Sequence, residues 1–224
     1  MASLMRSRNI LVIVEGERAE DIFIRSIFSV SFPDQKIDIY SYGTSIHQLI
    51  NELYPRGVFD PDLDLCALLA ENEDDTTKKG ELLKSYTDKY LVFDFEPQHH
   101  VLRFEQVYKM LEFFNDSTDN GKLYINYPML ESYRHILRMP DLSFRNKEVS
   151  IPEVYQYKQL VEKEGSDEYN NPRRYNYITM VSLALHHVMK AKQILTNQYN
   201  VPELDEYLSW KGNEIYEYQV NLCN

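Results

Sequence analysis

Five apolar residues in succession, Ile10-Leu11-Val12-Ile13-Val14, stop at Glu15-Gly16, and the chain then turns dense in charge. A run rich in β-branched residues and without a polar face reads as a strand buried on both sides, as in a parallel sheet with helices above and below. Its sequel agrees. Ile22, Phe23, Ser26 and Ile27 fall at helical spacing before Pro33 stops the segment. Residues 36–42 (KIDIYSY) alternate and end before Gly43, a second strand. Residues 45–54 (SIHQLINELY) read as an amphipathic helix with Ser45 as its cap and Pro55 just beyond. An opening of strand, helix, strand, helix predicts an α/β fold with a mostly parallel sheet flanked by helices.

Further along, a short strand or helix is expected near 63–70, a mobile acidic loop at 71–78 and a helix around 79–87. YLVFDF (90–95) is another central strand. An amphipathic helix follows at 102–116, a strand at 121–128, and a helix at 129–139 that Pro140 ends. Beyond it the strand pattern is lost, and helices are expected at 152–165, 173–198 and 202–221. The expected organisation is an α/β domain over 1–145 and an α-helical C-terminal extension over 146–224 packed on it.

Composition narrows the functional classes. The formal charge of −11 argues against a broad basic face that grips nucleic acid. It leaves room for nucleic acid where a bound divalent cation reverses the local sign. Cys66 and Cys223 form no redox or metal motif, which fits reduced thiols in a cytoplasmic protein. No apolar run approaches the roughly 18 residues that span a bilayer, and no signal peptide precedes the first strand, so no membrane association is expected. The 18 tyrosines are read first as packing, and second as interface or base-stacking surface.

Carboxylates mark the candidate site. Ligands of open parallel sheets sit at the carboxyl ends of strands. Glu15 ends the first strand there, and Asp94 and Glu96 end the 90–95 strand just before Pro97. Two positions apart on a strand, Asp94 and Glu96 share a side and can reach one cation. An all-oxygen set suits Mg²⁺ or Mn²⁺, which can orient a phosphate and acidify an attacking water. The bland alternative for each acid alone is a helix cap or a solvated turn.

VIVEGERAEDIF followed by YLVFDFEPQ resembles the Toprim domain, with a strand ending in Glu-Gly and a later strand ending in Asp-x-Asp. INYPMLESYRHI (125–136) is similar to the strand, Asn/Ser-Pro and helix-glutamate segment of the Toprim-like RloB and OLD nucleases. The resemblance covers about residues 9–138. It implies a Rossmann-like sheet and a metal-dependent nuclease, often met in bacterial anti-phage systems. Glu15 matches the Toprim glutamate, Asp94 and Glu96 the acidic pair, and Glu131 the later glutamate. Two departures stand out: the second acid of the pair is glutamate, and the acid four residues after the first glutamate is Ala19. Either Glu20 takes that place or the second metal position is absent.

Basic residues placed to hold a phosphate backbone are Arg18, Arg103, Arg134 and His135, with Arg173 and Arg174 among tyrosines in NNPRRYNY. The alternative for the last pair is a capped helix start with surface charge. His99-His100 is either a proton donor or a solvated loop, and in His186-His187 one ring is expected to pack and the other to face solvent. An EF-hand reading of residues 60–71 fails because Leu65 stands where the loop needs glycine. No glycine pattern for a P-loop or a dinucleotide site is present. The expected function is Mg²⁺- or Mn²⁺-dependent hydrolysis of phosphodiester bonds in DNA or RNA (tRNA included). The rival is a non-catalytic Toprim-like subunit that docks on a partner ATPase; a homodimer is the other expected protein association. A small-molecule phosphohydrolase using the same acids is a third reading.

Overall fold

The computed structural model describes residues 8–54, 57–95 and 104–223. Glu96, His99, His100 and Arg103 therefore lie outside the described residues. The chain divides into two compact units, Met1–Phe93 with Met110–Tyr124, and Asp94–Lys109 with Ile125–Asn224.

The fold is α/β, with a five-stranded sheet in the order β2-β1-β3-β5-β4. Strand β1 (Asn9–Val14) pairs in parallel with β2 (Lys36–Ser41) on one side and with β3 (Asp88–Asp94) on the other. That central position is why the run from Ile10 to Val14 is buried throughout. Ile10, Val12 and Val14 pack with Ile24 of helix α1 (Ala19–Ser31), and Phe23, Phe28, Ile37 and Ile39 close over them. Leu11 and Ile13 point to the opposite face and are equally buried. Each such side chain contributes roughly 1.5–3 kcal/mol when fully removed from water. Helix α2 (Ile46–Leu53) buries Ile46, Leu49, Ile50 and Leu53, one apolar stripe at helical spacing. Ser45 holds the cap position but makes no side-chain capping bond there.

The segment near 63–70 is helical, α3 (Leu65–Glu71), with the Asp64 carboxylate accepting from the Ala67 N–H. The expected mobile loop at 71–78 is instead an ordered turn. Glu73 accepts from the Asp75 N–H and from the Tyr40 hydroxyl, both at 2.9 Å. Asp75 then caps α4 (Thr76–Leu82) through the N–H groups of Thr77 and Lys78, so that helix starts earlier than its apolar residues indicate. After α5 (Phe104–Phe113) come the two-residue strand β4 (Asn115–Asp116) and β5 (Gly121–Asn126), which pair antiparallel. Gly121 is required between them. Its φ is +122°, and a Cβ there would lie 2.9 Å from Leu91 Cδ1.

The division into units runs at the end of β3 and within α5 and β5. Within the second unit the Phe95 ring stacks on Tyr127 at 5.0 Å and meets Phe104 and Tyr216. The helix expected at 129–139 is a five-residue 3-10 turn, Leu130–Arg134. Asp141 explains its early end, because its buried carboxylate takes the Leu137 N–H at 2.9 Å and the Ser143 N–H at 2.9 Å. The 152–165 segment is a 3-10 turn (Ile151–Gln156) leading into α6 (Tyr157–Glu164). Met129, Val154, Tyr157 and Val161 form a small core there. Helix α7 (Tyr177–Thr196) starts at Asn176, whose side chain accepts from the Thr179 N–H, and stops at left-handed Asn197. The last expected helix is two, α8 (Leu204–Ser209) and α9 (Gly212–Cys223). No helix among the described residues is long and apolar enough to cross a membrane.

Candidate functional site

In the first unit, Glu15 is the residue after β1. Its carbonyl accepts from the Gly43 N–H at 2.9 Å, and the Gly16 carbonyl accepts from Ser41 Oγ at 3.1 Å. The exit from the strand is thus tied to the chain that leaves β2. Glu20 lies in the first turn of α1, where the helix dipole favours an acid. Its carboxylate folds back over Gly16, so that a Cβ on that glycine would sit 2.8 Å from Oε2. One turn therefore holds Glu15 and Glu20, while Ala19 starts the helix. Arg18 occupies the cap position of α1, is exposed, and makes no capping bond through its side chain.

In the second unit, Asp94 closes β3 half-buried, and Asn126 at the end of β5 donates Nδ2–H to its Oδ1 at 3.0 Å. The Phe95 N–H donates to the Asn126 carbonyl at 3.0 Å, which fixes the two strand ends against each other. Glu131 stands in the 3-10 turn with its side chain 15% exposed, and Lys158 Nζ lies 3.1 Å from its Oε1. Its Oε2 is buried with no hydrogen-bond donor in reach. A buried carboxylate oxygen without a donor is costly, and a cation or its bound water would relieve it. That oxygen and the orientation of Asp94 are the features of this unit that fit a hard metal ion. Among the described residues, however, no three His, Cys, Asp or Glu side chains gather closely enough to hold one. Glu96, the second acid of the expected pair, lies outside the described residues.

Arg134 donates to Asn170 Oδ1 at 2.6 Å. Arg173 and Arg174 are exposed on a 3-10 turn that Asn171 caps. Tyr175 beside them is buried, with its hydroxyl bonded to the Tyr169 carbonyl, so it offers no stacking face. His135 is not a phosphate contact of the kind expected. It is 2% exposed, with Nδ1 at 3.1 Å from the Tyr157 hydroxyl and Nε2 at 3.0 Å from Glu164 Oε2. Burial, helped by the Lys147 ammonium, holds its pKa below the ordinary imidazole value against the pull of Glu164. The neutral ring accepts from Tyr157 and donates to Glu164.

His186 packs, as one of the pair was expected to, while His187 is only partly exposed and its Nε2 is buried. His186 accepts the Asp141 N–H on Nε2 at 2.8 Å, and its Nδ1 meets the Ser182 carbonyl at 2.7 Å, so Nδ1 carries the proton. His187 is enclosed beside Phe144, and burial pushes its pKa down to about 4. Burial also lowers Lys147 and Lys190, with Asp141 and Glu164 opposing the shift at the first and Glu148 at the second.

Two groups of residues escaped the sequence reading. Asn126 had a visible signal, a polar residue closing the apolar alternation of β5 immediately before Tyr-Pro. Lys147, Lys190 and Gln193 had none, since they come together with His187 only through the packing of α7 on the 3-10 turns. The chain matches no protein-family model, no curated protein and no solved structure.

Proposed function

We propose that the chain is a divalent-metal-dependent nuclease that hydrolyses phosphodiester bonds in nucleic acid. The observation that carries this reading is the carboxylate of Asp94, set at the carboxyl end of β3 and oriented by Asn126, as metal-binding carboxylates usually are by a neighbouring donor. Asp94 and Glu96 would hold Mg²⁺ or Mn²⁺, and Glu131, with its buried unpaired oxygen, would serve as the auxiliary carboxylate. The metal, when bound, supplies charge neutralisation at the phosphate and a more acidic attacking water. Asn126 keeps Asp94 from swinging, and Lys158 steadies Glu131. An anti-phage role rests on the resemblance to Toprim-like nucleases alone.

The test is Mn²⁺ titration calorimetry on the wild type and on Asp94→Ala/Glu96→Ala, with the same samples assayed on labelled DNA and tRNA. Loss of both binding and cleavage in the variant is the expected result. Failure of the wild type to bind Mn²⁺ overturns the reading. The second reading, a non-catalytic subunit that docks on a partner, is favoured by the apolar stripe Tyr177, Ile178, Val181 and Leu185 left exposed along α7. Metal binding without cleavage of either substrate would move the assignment there.

A further inference from the structure

Within the second unit a cavity of about 540 Å³ lies between α7 and the 3-10 turns that precede α6. Its size is that of a small-molecule site. Its chemistry is unlike the rest of this acidic chain. Lys147 and Lys190 reach its wall with side chains only 13% and 18% exposed. Lys190 Nζ donates to the Arg145 carbonyl at 2.6 Å and stands 3.9 Å from Glu148, while Lys147 Nζ is 3.8 Å from Glu164. An ammonium has three N–H donors, so both retain donors for an anion.

The same wall carries two buried acceptors that lack a donor, Gln193 Oε1 and His187 Nε2. The His187 ring is neutral, and in the tautomer that carries its proton on Nδ1 the buried Nε2 presents a lone pair. The rest of the wall is mixed: Tyr127, Phe144, Val149 and Ile194 give it apolar faces, while Ser132, Ser150, Asn197 and the Glu148 carboxylate, held beside Lys190, add polar groups. An occupant must therefore combine an anion for the two lysines, N–H donors for two acceptors, and a flat apolar body. Inorganic phosphate would leave the acceptors unpaired, and a fatty acid would bury them against hydrocarbon. A purine or pyrimidine ring carrying N–H groups and joined to a phosphate meets all three demands.

We propose that this cavity binds a 5′-phosphorylated nucleoside, with its phosphate on Lys147 and Lys190 and its base N–H groups on Gln193 and His187. The ligand is either a free mononucleotide or the 5′ end of a strand, and the chemistry is shared. The site does not depend on the carboxylates proposed to bind metal.

The experiment is calorimetric titration of the full chain, in EDTA, with AMP, GMP, CMP and UMP, the four nucleosides, inorganic phosphate and 5′-phosphorylated dinucleotides. At least one mononucleotide is expected to bind in the micromolar range, with its nucleoside and free phosphate at least about tenfold weaker. A dinucleotide that binds as tightly assigns the strand end, and one that does not assigns the free nucleotide. Lys190→Met and Gln193→Ala should each weaken binding about ten- to hundredfold. Ile194→Trp, which fills the cavity without altering charge, should abolish it, with circular dichroism verifying the fold of each variant. No binding of any mononucleotide by the wild type overturns the proposal, as do equal affinity for phosphate alone and folded variants that bind unchanged. Because EDTA removes divalent metal, failure here leaves the nuclease reading standing, and failure of Mn²⁺ binding leaves this one standing.

Discussion

Replacing Asn126 by alanine removes the Nδ2–H that fixes Asp94 Oδ1 at 3.0 Å. A hydrogen bond to an ionised carboxylate contributes about 1.5–3 kcal/mol. Each 1.4 kcal/mol is about tenfold in an equilibrium constant, so the loss corresponds to roughly ten- to hundredfold in metal affinity. That range coincides with the usual effect of removing a partner that orients a metal ligand. Asp94 is half-buried, so water replaces part of the missing donor, which places the expected change near the lower end. Mn²⁺ titration of Asn126→Ala should give a dissociation constant about tenfold above wild type with unchanged stoichiometry. A parallel urea melt should show a stability loss of about 1.5 kcal/mol, the lower end of the same range. A folded Asn126→Ala protein that binds Mn²⁺ as tightly as the wild type refutes the reasoning that this amide orients a ligand.

Gly121→Ala should destabilise the protein by roughly 2–4 kcal/mol, combining the strain of a side chain at φ +122° with displacement of Leu91; a lower urea midpoint at unchanged slope is the readout. Asp141 should contribute stability that depends on pH. Burial raises its pKa, but the Ser143 and Leu137 bonds outweigh burial and hold it below the ordinary carboxylate value. A depressed folded pKa means the contribution is full above the unfolded value of about 3.9 and lost as pH falls through the folded one. Asp141→Asn should cost about 1.5–3 kcal/mol at neutral pH and flatten the acid limb of the stability curve, measured by urea melts from neutral to strongly acidic pH. A variant as stable as wild type at pH 7 counts against that network.

The parts of the fold that were legible are those whose signal is local and periodic. The run from Ile10 to Val14 can be satisfied only in the middle of a covered sheet, and the stripe Ile46, Leu49, Ile50 and Leu53 only on a helix packed by one face. The misreadings share a different cause, a polar side chain recruiting backbone N–H groups. Asp75 starts α4 early and Glu73 locks the turn before it, where acidity alone read as mobility. Asp141 takes the N–H of Leu137 and ends a helix that apolar spacing extended to residue 139. Neither competition shows in hydrophobic pattern, because a cap and a solvated acid have the same composition.

The candidate sites divide along the same line. Candidate metal ligands at strand ends are visible in sequence because each strand announces its own end, so Glu15 and Asp94 each stand out against apolar neighbours. Asn126 is half-visible, since the polar residue can be seen but its partner cannot. The cavity at Lys147, His187, Lys190 and Gln193 is invisible for a physical reason. Its polar groups come from the loop before α6 and from one side of α7, where each alone reads as surface charge or helix face. Burial gives them meaning: it lowers Lys147, Lys190 and His187 together and leaves Gln193 Oε1 and His187 Nε2 without donors. A net charge of −11 averages over the whole surface and so conceals a pair of half-buried ammonium groups around one cavity. Charge that is sparse but desolvated binds an anion more strongly than charge that is plentiful and hydrated, because the local dielectric sets its strength. The overall acidity of the chain is therefore compatible with phosphate recognition in its second unit.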